Sequence, residues 1–179
     1  MPVTAADKPR SAPTRTVSAV LAAWILSIGF DLFLHAGVLS EMYVRESAFL
    51  LAPELAFRRI PAGYATFFLL TAGLWWVFQR LDVCGWLNGL RMGAAIGFFV
   101  WGSVVVGLWS ISTAPIDLLL GWWLGQGFEL GLAGAVLGSV RAGASLGRIW
   151  IKVAIAVVVL FAVVVTLQTL GVATSVRVP

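Results

Sequence analysis

The sequence predicts an all-α bundle of about five transmembrane helices, with an interfacial helix after the first. Two observations carry this. Of the 179 residues, 60% are hydrophobic and only 11% charged, and the mean hydropathy is +0.98, whereas soluble domains carry about 25% charged residues. The apolar residues also fall into runs of the length, about 20 residues, that crosses roughly 30 Å of hydrocarbon. The chain is long enough for about five such runs and has little left over for a soluble domain.

Residues 1–16 hold three prolines and three basic residues and read as a flexible cytoplasmic tail, too polar to bury a core of its own. The first span is expected over about 17–39 and reads as a retained signal anchor, because the run is long and no small-x-small cleavage site follows it. Residues 40–60 mix three acids and three arginines with the apolar clusters AFLLA and LAF, a pattern that fits a short helix lying in the interface. Pro61 suits the first turn of a second span over about 62–78, since its missing N–H is not needed there. A third span is expected over about 92–109 and ends in the SISTAP turn. A fourth runs over about 116–137, with Asp117 placed to complement its N-terminus. A fifth covers about 150–170. The bundle thus occupies 17–173, followed by a short tail, 174–179.

Lysine and arginine sit at the ends of these runs. Eight fall on one side: Lys8, Arg10, Arg15, Arg80, Arg91, Arg141, Arg148 and Lys152. Four fall on the other: Arg45, Arg58, Arg59 and Arg177. This bias predicts an inner-membrane protein with a cytoplasmic N-terminus. Trp75, Trp76, Trp86 and Trp150 would line the inner interface and Trp109 the outer one. The charge pattern is not a phosphate footprint, so the net charge of +4 does not point to nucleic acid. The single cysteine, Cys84, excludes an intrachain disulfide.

Ionisable residues inside a span cost at least about 2.5 kcal/mol near the centre and usually face a cavity, a partner or a site. Residues three, four and seven apart share a helix face. Trp24, Ser27, Asp31 and His35, the only histidine, form one such stripe in the first span. Trp122, Gln126 and Glu129 form a second in the fourth. The two stripes predict a polar pocket open to the outside, with Asp31 and Glu129 as its floor and His35 and the SIST turn as its upper wall. The plainer readings are an Asp31–His35 pair that ties down a helix contact, a structural Glu129 hydrogen-bonded to Gln126, and tryptophans that only pack.

Gly89, Gly93 and Gly97 make a small-residue ridge leading into the third span. Gly121 with Gly125, Gly127 with Gly131, and Gly134 with Gly138 give the fourth its small faces. Such ridges let helices approach closely in lipid, so spans three and four are expected at the bundle centre, with one face of the fourth open to a second copy.

The chain has no HExxH, GxSxG, P-loop, CxxC or dinucleotide fingerprint, which argues against an enzyme and leaves no cofactor or metal expected. The stretches FDLFL, Tyr43, GLRMGAAIGFF, SISTA and IDLLLGWWLGQ resemble those of small polytopic bacterial membrane proteins of unknown function, a resemblance that implies no activity. Five spans and many tryptophans also resemble the tryptophan-rich sensory (translocator) proteins, whose Pro- and Trp-rich first loop is missing from residues 40–60. The expected function is non-enzymatic binding or transport of a small molecule, cation or proton through the outward pocket. The alternative is an assembly subunit that packs against a larger membrane complex through its glycine faces. The partners expected are the lipid bilayer and a second copy or another membrane protein.

Overall fold

The computed structural model describes residues 13–45 and 47–174, so most of both expected tails lies outside the described residues. Among these, the order is α1 (Pro13–Phe33), a π turn (Leu34–Val38), α2 (Ser40–Val44), α3 (Pro53–Arg80), α4 (Trp86–Ile111), α5 (Ile116–Arg141) and α6 (Leu146–Thr169). The described residues form helices and no strands. Four segments are long and apolar enough to cross a membrane: Pro13–Val38, Glu54–Arg80, Trp86–Ile111 and Leu146–Thr169. The remaining long helix, α5, is as long as α4 at 26 residues. Its six glycines, with Asp117, Gln126 and Glu129, dilute its hydropathy. It is also the most enclosed helix, with both polar groups Gln126 and Glu129 in its buried set. A helix shielded by other helices has no need of an apolar surface on every side.

The centre of the bundle is α1 beside α5. Helix α1 packs on α3, α5 and α6, and α5 packs on α1, α3 and α4. Ala19, Ala22, Ala23, Ala133 and Leu137 are fully buried between them and their neighbours. This corrects the expectation that spans three and four form the centre. Helix α4 packs extensively on α5 alone and stands at the rim, with Phe99, Val106 and Trp109 exposed.

The α4–α5 seam is nonetheless the closest approach in the molecule. A Cβ added at Gly89 would lie 2.1 Å from the Gly134 carbonyl oxygen, and one at Gly93 would lie 2.3 Å from that of Leu130. Gly97 meets Gly127, Gly131 meets Ala94, and Gly138 meets the Gly85 oxygen. Gly85 N–H also donates to Gly138 O at 2.9 Å. Lipid offers little hydrophobic drive for helix pairing, so this backbone-to-backbone dispersion is what holds α4 in place. Gly121 and Gly125 turn to the other side, where Leu39 and Leu34 fill the hollows they leave. The small faces of α5 are thus occupied from within the chain.

Helix α3 starts two turns earlier than expected. Pro53 takes the N-terminal position, and Pro61 lies inside the helix. At 28 residues it spans about 42 Å, more than the hydrocarbon. Its first two turns, including Leu55, Phe57 and Ile60, are exposed. The interfacial helix of the loop shrinks to the five residues of α2, and the LAF cluster belongs to α3.

At the end where α1 begins, charged side chains cap backbone. Arg15 donates to Val140 O in the last turn of α5 at 3.1 Å and to Ala144 O in the turn that follows it at 2.9 Å. Arg141 donates to Val83 O and to the Asp82 carboxylate at 3.0 Å, and Trp150 donates to Ser18 at 2.9 Å. Cations suit the negative end of a helix dipole. At the other end Arg45 pairs with Asp117 at 3.2 Å, the residue expected to favour the α5 N-terminus.

Candidate functional site

The helix carrying Asp31 and His35 does not end as an ordinary α-helix. The Leu39 N–H reaches back five residues to Leu34 O at 2.8 Å, which makes residues 34–38 a π turn. Wide turns of this kind leave carbonyls without their usual partner and recur at functional sites. Gln168 Nε2 donates to Ala36 O at 3.1 Å, and Ser40 Oγ donates to Gly37 O at 2.9 Å. Side chains thus supply donors to two carbonyls of the distorted turn.

Asp31 and His35 are joined across this turn. His35 Nε2 lies 3.0 Å from Asp31 Oδ1. The opposite ring nitrogen, Nδ1, is hydrogen-bonded to the Tyr43 hydroxyl. That hydroxyl also accepts from Trp122 Nε1 at 2.6 Å. Asp31 Oδ1 in turn accepts from Gln126 Nε2 at 3.4 Å. The polar stripes of α1 and α5 thus meet, and α2 ties them together. The result is a continuous chain of side chains, Trp122–Tyr43–His35–Asp31–Gln126, that runs from the end of the bundle into its core.

Glu129 lies beyond the inner end of that chain. It is only 2% exposed, with Ser27 and Gln126 within hydrogen-bonding reach of its carboxyl and Asp31 close enough to interact with it. Two buried acceptors nevertheless have no partner: Glu129 Oε2 and Gln126 Oε1. An orphaned buried oxygen costs about 1–3 kcal/mol, and an unpaired buried carboxylate costs more. Neighbouring orphans of one kind, all acceptors, mark a place that lacks a donor.

The upper wall differs from the expected one. The serines of the SIST turn bond their own helix: Ser110 Oγ to Gly107 O at 2.7 Å and Ser112 Oγ to Leu108 O at 2.6 Å. The outer end of the site is instead closed by Tyr43 and by Phe49, whose ring sits 6.1 Å from that of Trp122. Where an open pocket was expected, the stripes are packed into direct contact. Burial pushes the Tyr43 phenol above its ordinary range; the Trp122 hydrogen bond opposes this in part, and the Asp31 carboxylate adds to it.

No family model, curated protein or solved structure matches the chain. The resemblance to small bacterial membrane proteins therefore stands on its few stretches alone.

Of the six side chains expected at the site, Asp31, His35, Trp122, Gln126 and Glu129 come together. Trp24 does not. Its indole Nε1 donates to Tyr64 O at 2.8 Å, and its ring packs edge-on against Phe68, so it belongs to the α1–α3 contact. Tyr43 is the residue that sequence reasoning named only within a resemblance and did not place at the site. Its one signal in the residues themselves was position, as the one aromatic hydroxyl within the polar loop after His35.

Proposed function

We propose that this chain is a five-span inner-membrane protein, N-terminus in the cytoplasm, whose α1–α5 site binds or passes a proton. The observation that carries this is the pair of unpartnered acceptors, Glu129 Oε2 and Gln126 Oε1, at the inner end of the His35–Asp31 chain. One proton on Glu129 turns an orphan acceptor into a donor and removes an uncompensated buried charge. Tyr43, His35 and Asp31 each hold or release a proton, so they supply a relay between Glu129 and the outer end. The close packing of this chain favours a proton over a small molecule. Infrared difference spectra of the protein in nanodiscs test the reading. The wild type should carry a carboxylic C=O band that shifts in heavy water and is lost in Glu129→Gln, and Asp31→Asn should stop proton uptake into liposomes. Identical carboxylic bands in wild type and Glu129→Gln would sink it.

The orientation has a separate test. With Cys84 replaced by serine, a cysteine at Ile111 should react with an impermeant thiol reagent added outside intact cells, and one at Leu81 should not. The reverse pattern overturns the assignment. The assembly reading rested on the glycine faces of α5, which α4 and the leucines after α1 fill; a stoichiometric partner recovered in mild detergent would restore it.

A further inference from the structure

Helices α3 and α4 are joined by the turn 81–85 but do not pack extensively against each other; both rest on α5. Beside that turn lies an open groove of about 530 Å³ lined by Asp82, Val83, Cys84, Asn88, Arg91, Met92 and Ala95. Residues 88, 91, 92 and 95 share one face of α4. The lining changes character along that face. Asp82, Asn88 and Arg91 stand at the turn, and Met92 and Ala95 lie deeper in the span. The charge is also one-sided. Asp82 is neutralised by Arg141 at 3.0 Å, and Asn88 Nδ2 is bonded to Cys84 O at 3.1 Å. Arg91 is exposed and has no ion-pair partner among the described residues. Arg80, stacked 5.5 Å over Trp76, with the exposed Trp76 and Trp86, marks the headgroup level beside it.

We propose that this groove holds one anionic phospholipid of the leaflet at the α3–α4 turn. Its phosphate would be paired with Arg91, and an acyl chain would run along Met92 and Ala95. A polar, net-positive mouth over an apolar trough, lying open along the first turns of α4 beside the α3–α4 turn, is complementary to an amphiphile with a negative head. The guanidinium fork is suited to phosphate oxygens. The groove lies at the opposite end of the bundle from His35 and Tyr43, so the assignment is independent of the proton reading.

The test is thermal unfolding and native mass spectrometry of the detergent-purified full chain. Phosphatidylglycerol and phosphatidylcholine with the same acyl chains are added in turn, and glycerol phosphate alone is a third arm. The wild type should retain phosphatidylglycerol and melt higher with it than with phosphatidylcholine, and glycerol phosphate should do nothing. Arg91→Gln should lose the preference while melting like wild type in phosphatidylcholine. Ala95→Trp, which fills the trough, should retain neither lipid at this site. An undiminished preference in both variants, no preference in the wild type, or an equal response to glycerol phosphate overturns the proposal.

Discussion

Gly134→Ala is expected to detach α4 from α5 and to lower the melting temperature more than any other single methyl addition outside the α4–α5 seam. The new Cβ would lie 2.2 Å from the Gly89 carbonyl oxygen. That atom is backbone and cannot rotate away, so the helices must separate. Separation forfeits the contacts of Gly93 and Gly138 along the same seam, and in lipid no other force restores them. Overpacking ordinarily costs about 1–3 kcal/mol; a backbone clash repeated along a whole ridge belongs at or above the upper end. The same substitution at Gly107, on α4 but away from the seam, meets nothing within 4 Å. There alanine should be neutral or should stabilise by about 0.5–1 kcal/mol, because glycine is the poorer helix former. The contrast in sign separates packing from propensity. Equal melting temperatures for the two variants would remove the glycine seam as the source of α4 docking.

Tyr43→Phe should cost about 2 kcal/mol at neutral pH and change the shape of the alkaline stability curve. Removing the hydroxyl leaves Trp122 Nε1 without the acceptor it has at 2.6 Å and frees His35 Nδ1. An abandoned buried donor costs about 1–3 kcal/mol. The pH dependence follows from the raised phenol, whose ordinary value is 10.0. The folded protein keeps this proton where the unfolded chain has lost it. The stability linked to the raised value is therefore fully present below pH 10 and is lost as pH rises further, toward the folded-state value. The wild type should lose stability above pH 10 more steeply than Tyr43→Phe, so the two curves converge. Parallel curves through that range would mean that Tyr43 is not held by burial. A double-mutant cycle with Trp122→Phe should return a coupling of about 1 kcal/mol, as expected for side chains in contact.

Much of this architecture is legible in the sequence, because lipid imposes simple demands. Apolar length marks α1, α3, α4 and α6, and glycine spacing picks out the seam residues on α4 and α5. The charged groups within the spans identify the α1 and α5 stripes, since burial in lipid leaves them few other places to face. What escaped reading depends on relations between elements. Both α4 and α5 carry glycine ridges, yet only α5 also carries buried polar groups, and that difference marks which of the two is central. Trp24 sits seven residues before Asp31 and so fits the stripe by angle. Its indole is long enough to swing aside to the Tyr64 carbonyl, and no periodicity records that choice. Pro61 looks like a helix start, but Pro53 supplies an equally good one eight residues earlier, and the residues between them carry no breaker. Tyr43 was missed because its meaning comes from a π turn that composition does not announce.

That turn sets the helical phase of the whole outer end. In an ordinary helix, residues five apart point about 140° away from each other. Here Leu34 and Leu39 are five apart and both plug hollows on one face of α5, at Gly125 and Gly121, which are four apart. One wide turn on one helix is thus matched against one standard turn on the other. The extra residue works as a vernier. It keeps the leucines seated on α5 while shifting everything after them by one step, and this step carries the chain into α2, where Tyr43 meets His35. Deleting Ala36 alone from this turn would leave every side chain of the site in the sequence and still rephase the residues after it against those before it.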